Sequence, residues 1–170
     1  NRIHTRAIWL LQDESFGMQL QQAIPTGSFR MMCMCVIHCD NLKSALHRAV
    51  EFNNFCRALT QLPAVSHTAV SFNDDIATAH IPDNTPLFYD NDLQAIANTI
   101  SVWRRFCGWL IGRNIEPLSV SFKTKEPQNL QPLRDLFHCP LKFEQPINGF
   151  SFPKHYTNMP LIHTEDSLNE

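Results

Sequence analysis

Two segments of helical period constrain this chain more than any other feature. From Leu42 to Leu59, apolar residues Leu42, Ala45, Leu46, Ala49, Phe52, Cys56 and Leu59 recur every three or four positions. From about Asp92 to Arg113 the same spacing joins Leu93, Ile96, Ala97, Ile100, Trp103, Cys107, Leu110 and Ile111. That period puts each set on one face of an amphipathic helix, which must bury its stripe against another element. Asp40 or Asn41 offers an N-cap for the first helix and Pro63 lies beyond its end, while Gly112 and Asn114 stop the second.

The partners for those stripes are short and β-like. Val65–Phe72 and Ile76–Ile81 flank Asn73-Asp74-Asp75, the composition of a hairpin. Pro117–Phe122 alternates as a strand does, Leu130–Phe137 reads as a short helix, and Leu141–Glu144 and Gly149–Phe152 read as strands. An amphipathic pattern over Arg2–Gln12 comes first, and Asp83–Asp92 is a polar loop. Helices and strands interleave irregularly, so the expectation is an α+β single domain, with two long amphipathic helices packed on a small, mostly antiparallel sheet.

Composition excludes several functions. With 14 Lys and Arg scattered against 16 Asp and Glu in 170 residues, the chain lacks the basic face of a domain that grips nucleic acid itself. No stretch approaches the roughly 18 apolar residues of a membrane span, and NRIHTRAIWLL lacks a signal-peptide pattern. The chain therefore reads as a piece cut from a longer cytoplasmic protein. Its six cysteines, all in apolar contexts, read as thiols rather than disulfides.

The sulfur-rich run Met31-Met32-Cys33-Met34-Cys35-Val36-Ile37-His38-Cys39 suggests a metal, but its spacing argues against one. On a helix Cys35 and Cys39 share a face while Cys33 points away; on a strand Cys35 and Cys39 lie about 13 Å apart. A tetrahedral site needs four ligands on one ion. The run reads better as buried core between a Pro-Gly turn and the first long helix, with no metal and no cofactor. Chemistry is equally unorganised elsewhere: no nucleophile elbow, zinc-binding helix motif or phosphate loop is present. Pro25-Thr26-Gly27-Ser28 reads as a turn, and Cys139 before Pro140 as a packed loop thiol.

Aromatic residues cluster with arginines on the two long helices. Phe52, Phe55, Trp103 and Phe106 are the expected wall of a ligand pocket, with Arg104 or Arg105 as an anion contact. Met31, Met34 and Cys35 are outlying candidates for the same wall.

Several stretches, taken in order, resemble one module: Phe16-Gly17-Met18-Gln19-Leu20, Pro25-Thr26-Gly27-Ser28-Phe29, Asn41-Leu42-Lys43-Ser44-Ala45-Leu46 and Pro117-Leu118-Ser119-Val120-Ser121-Phe122. They continue with Phe137-His138-Cys139-Pro140-Leu141-Lys142-Phe143, Asn148-Gly149-Phe150-Ser151-Phe152 and Met159-Pro160-Leu161. Together they resemble the N-terminal effector domain of AraC-type bacterial transcription regulators. That resemblance implies a non-enzymatic domain over residues 1–170 that binds a small, partly apolar or acidic effector and forms a homodimer. It also implies DNA contact only through a helix-turn-helix domain absent from this chain, as is an N-terminal helical portion. Two other classes fit the residues alone: a purely structural dimerisation domain with a filled core, or a small thiol- or metal-dependent enzyme.

Overall fold

A computed structural model describes residues 26–59, 70–81 and 93–164. Within them the chain forms α1 (Ser28–Val36), α2 (Leu42–Leu59), the hairpin strands β1 (Val70–Asn73) and β2 (Ile76–Ile81), and α3 (Leu93–Ile111). There follow β3 (Ser119–Ser121), α4 (Gln131–Phe137), β4 (Leu141–Lys142), β5 (Asn148–Pro153) and a closing 3-10 turn over Lys154–Asn158. The expected segments over Arg2–Gln12, Val65–Ala69 and Asp83–Asp92 lie outside the described residues.

Both long helices form where their periodicity predicts. Asn41 caps α2, its Oδ1 accepting from the Ser44 amide at 3.0 Å and satisfying one of the amides that a helix start leaves orphaned. Leu42, Ala45, Leu46 and Ala49 are buried, and on α3 so are Ile96, Ala97, Ile100, Cys107, Leu110 and Ile111. The helices pack on each other, α3 also against β5 and α2 against the closing turn.

The five strands make one sheet in the order β1-β2-β5-β3-β4. All pairings are antiparallel except β3 with β4, which are parallel because α4 returns the chain between them. At the hairpin, Asn73 pairs with Ile76 across Asp74-Asp75, and Asp74 takes the left-handed backbone (φ 44°) that Asp tolerates. The Lys154 Nζ and backbone amide then donate to the Asp74 and Asp75 carbonyls at 2.9 and 2.7 Å, pinning this turn to the end of β5.

Small residues opposite large ones fill the sheet's inner face. Ala79 and Ala77 on β2 pair with Phe150 and Phe152 on β5, and the two phenylalanine rings stack at 5.3 Å. Phe150, Phe152 and Phe122 are almost fully buried, each contributing about 2–3 kcal/mol by removal from water. This is the expected α+β architecture.

The sulfur-rich run is less uniformly buried than its composition predicts. Met31–Val36 lie in α1 and the run is covered on one side: Cys33, Val36 and Ile37 are buried, whereas Met31, and Phe29 just before the run, stay about half exposed (52% and 51%). No disulfide joins the six cysteines. Among the described residues no group of three or more His, Cys, Asp and Glu could hold a metal ion.

Candidate functional site

The C-terminal half of α3 carries the most concentrated chemistry of the described residues. Its core side holds Cys107, whose thiol is pushed up to about 12 by burial and therefore stays protonated. Its other side carries a run of rings. The buried Phe106 meets Phe29 of α1 edge-on (5.7 Å, 66°) and Trp103 edge-on (5.8 Å, 80°), and stacks against Trp109 at 6.0 Å. Trp109 in turn stacks on His163 at 3.8 Å.

His163 reaches this helix because the chain after the closing turn crosses the helix end as a strap. The Ile162 amide donates to the Leu110 carbonyl at 3.0 Å, and His163 Nε2 lies 2.8 Å from the Trp109 carbonyl. Gly112 lies where the strap meets the helix end, against the tip of the Ile162 side chain. It takes the left-handed conformation (φ 62°) that ends the helix, and a Cβ there would stand 2.5 Å from Ile162 Cδ1.

Between helix end and strap lies an open recess of about 350 Å³. Its walls are Arg104, Arg105, Gly108, Trp109, Gly112, Arg113, Asn114, Ile162 and His163, three arginines with no carboxylate among them. Arg104 is held in place: its Nη1 donates to the Ile115 carbonyl at 3.2 Å and, more weakly, to Asn114 Oδ1 at 3.4 Å. Its Nε is buried and has no hydrogen-bond partner among the described residues.

A second recess, of about 600 Å³, sits at the end of α4 and is lined by Gln131, Arg134, Asp135, His138, Cys139 and Pro140. Here burial raises the Cys139 thiol, an effect that the positive charge of Arg104 and a backbone hydrogen bond from Val120 only partly offset. A raised thiol is a poor nucleophile, in keeping with a packed loop cysteine.

The expected pocket residues are divided by this geometry. Trp103 and Phe106 touch each other, and Arg104 and Arg105 line the recess at the helix end. Phe52 is half-buried and Phe55 is 62% exposed on α2, and neither makes a ring contact with that group among the described residues. Met31, Met34 and Cys35 lie on α1; Met34 Sδ accepts from Arg30 Nη1 at 3.7 Å, and Cys35 acts electrostatically on the Cys56 thiol of α2. Arg113, Ile162 and His163 were not among the residues singled out by spacing. Arg113 stands beyond the helix stop signal, and the two strap residues arrive from about fifty positions away in sequence.

Residues 1–161 match the arabinose-binding domain of AraC transcription regulators, the N-terminal part of such proteins. The chain belongs to that family. It is thus a ligand-sensing domain of a transcription regulator, and the AraC-type arabinose-binding domain is not a known enzyme family. A comparison with curated proteins finds no match to this chain. Among the described residues of this AraC-type domain, no helix is long and apolar enough to cross a membrane.

Proposed function

We propose that this AraC-type domain senses a small, partly apolar or acidic effector in the cytoplasm. It passes the signal on by forming a homodimer and by controlling an attached helix-turn-helix DNA-binding domain. The whole chain, residues 1–170, acts as the effector-sensing and dimerising unit, with the DNA reader and an N-terminal helical portion elsewhere in the intact regulator.

The observation that carries this reading is the family match over residues 1–161. The near-neutral charge supports it, since a sensor without its DNA reader needs no basic face. Mechanistically, an effector that binds one arrangement of the domain better than another shifts the population of that arrangement, and with it the freedom of the DNA readers. The proposed contacts are Arg104 and Arg105, with Trp103 and Phe106 as the apolar wall behind them; Phe52, Phe55, Met31, Met34 and Cys35 belong to the wider proposed wall on α1 and α2. The family's name carries a neutral sugar, but the recess offers three guanidinium donors and no carboxylate acceptor, which suits an acid better.

A thermal-shift screen against sugars, acyl acids and amino-acid-like metabolites tests the sensing half. One class is expected to raise the melting temperature; a screen in which none does counts against it. Sedimentation velocity tests the pairing half, and a chain that stays monomeric with and without effector counts against that.

A further inference from the structure

We infer that the recess at the end of α3 is an anion site, taking a small carboxylate or phosphate on Arg105 and Arg113, and that occupying it holds the Met159–His163 strap on the helix. The inference deepens the sensing reading and rests on it for its biological use, though binding and strap docking are measurable without it.

Charge is the first argument. Three of the chain's 14 Lys and Arg line one recess that has no acidic side chain among the described residues, in a protein whose formal net charge is −2. Like charges gathered on one wall repel, and a bound anion turns that repulsion into attraction. A helix C-terminus could itself have drawn cations, but here the carbonyls of Gly108, Trp109 and Leu110 are already taken. The Arg113 amide donates to Gly108, the Gly112 amide and the His163 ring contact the Trp109 carbonyl, and the Ile162 amide donates to Leu110.

Donor accounting is the second argument. Arg104 spends Nη1 on the Ile115 carbonyl and Asn114, so it acts as a positioning residue that fixes the wall. The guanidinium groups of Arg105 and Arg113 make no hydrogen bond or ion pair among the described residues. A planar guanidinium fork matches a carboxylate or phosphate through paired donors, and a space of about 350 Å³ suits a small acid.

The linkage follows from the walls. One side of the recess is α3 and its end; the other is Ile162 and His163 of the strap. A ligand that touches both sides binds best when the strap is docked, and by reciprocity its binding stabilises docking by the same factor.

The test uses the 170-residue chain, inorganic phosphate and benzoate as probes, and chloride at matched ionic strength as the control. Binding is followed by NMR of the arginine side chains, and docking by hydrogen exchange of the Ile162 amide. Phosphate or benzoate is expected to bind saturably and to slow Ile162 exchange by about threefold or more. Arg105→Gln with Arg113→Gln is expected to weaken binding by about tenfold or more while leaving the amide spectrum of the core intact. His163→Ala, which loosens the strap, is expected to weaken binding, by at most the factor by which the anion slows exchange. Tighter binding of benzoate assigns the site to organic carboxylates; tighter binding of phosphate assigns it to phosphorylated ligands or free phosphate. The anion site is overturned if both probes behave like chloride, or if the double variant binds as the parent does. The linkage is overturned if an anion binds and Ile162 exchange does not change. An uncharged metabolite that stabilises the chain where both anions fail would sink the anion site and leave the sensing reading standing; anion binding without any effect on DNA regulation would do the reverse.

Discussion

Two recesses at two helix ends differ in how their charges are balanced. At the end of α4, Arg134 shares its recess with a carboxylate, Asp135, which accepts a hydrogen bond from Gln131 Nε2 at 2.6 Å. At the end of α3, three arginines face one space, and among the described residues only Arg104 has a donor, its Nη1, engaged by the protein. The larger recess therefore carries an acidic group beside its arginine, whereas the lining of the smaller one gathers arginines without a carboxylate. Volume alone would have ranked them the other way.

The backbone of the α3 recess has little room for a larger residue. A Cβ at Gly108 would stand 2.6 Å from the Arg113 carbonyl oxygen, and that oxygen cannot retreat easily because the Arg113 amide is bonded back to Gly108. Gly108→Ala is expected to cost about 2–3 kcal/mol in urea denaturation, the scale of overpacking a fixed site, and to weaken anion binding by displacing Arg113. Pro140→Ala, on the exposed lip of the α4 recess, is expected to change stability by less than about 1 kcal/mol. Equal costs at the two sites would show that the α3 helix end is not the rigid platform described.

Much of the platform was legible before any coordinates. Period-3.6 stripes located α2 and α3 to within two residues, because burying such a stripe leaves little choice of structure. The hairpin followed from Asn73-Asp74-Asp75 for a local reason, the tolerance of Asp for left-handed backbone. The recess was legible only in part. Arg104 and Arg105 sit beside aromatics on a helix whose phase is known, so local spacing finds them. His163 and Ile162 join the site through bonds to Trp109 and Leu110, and no periodicity reports a contact made across some fifty residues. The exposure of Met31 and Phe29 escaped for a similar reason: an all-apolar segment does not say which side its neighbours will cover.

Two thiols differ between the same two regions. Cys107 lies on the core side of α3 behind the arginine recess, while Cys139 lines the other recess and is only half-buried. Iodoacetamide at pH 8, read by site-resolved mass spectrometry, is expected to modify Cys139 in the folded chain and Cys107 only after unfolding. The same burial sets a pH dependence. The Cys107 thiol is held near 12 when folded, against an ordinary value of 9.0, so between those values the folded state keeps a proton that the unfolded state has lost. Stability is therefore complete below about pH 9 and falls as pH rises, by up to about 1.4 kcal/mol per pH unit from this group. Cys107→Ala is expected to flatten that slope; an unchanged slope would assign the alkaline loss elsewhere.

The smallest expected effect is also the most direct measure of charge balance. Arg134 lies in the last turn of α4, where the His138 amide caps the Arg134 carbonyl and a cation complements the helix end. Arg134→Glu puts a negative charge there instead, at a cost of about 0.5–1 kcal/mol at low salt. Arg105 stands more than one turn before the end of α3, beyond the reach of most of that dipole effect, and beside two other arginines. Arg105→Glu is therefore expected to be neutral or stabilising by up to about 0.5 kcal/mol, since a carboxylate would supply the anion the recess lacks. The opposite signs are the test, read as denaturation midpoints at low salt and again at 1 M salt, where a Debye length of about 3 Å screens both effects away. If Arg105→Glu destabilises as much as Arg134→Glu, the arginines at the end of α3 are already balanced within the protein, and the contrast between the two recesses disappears.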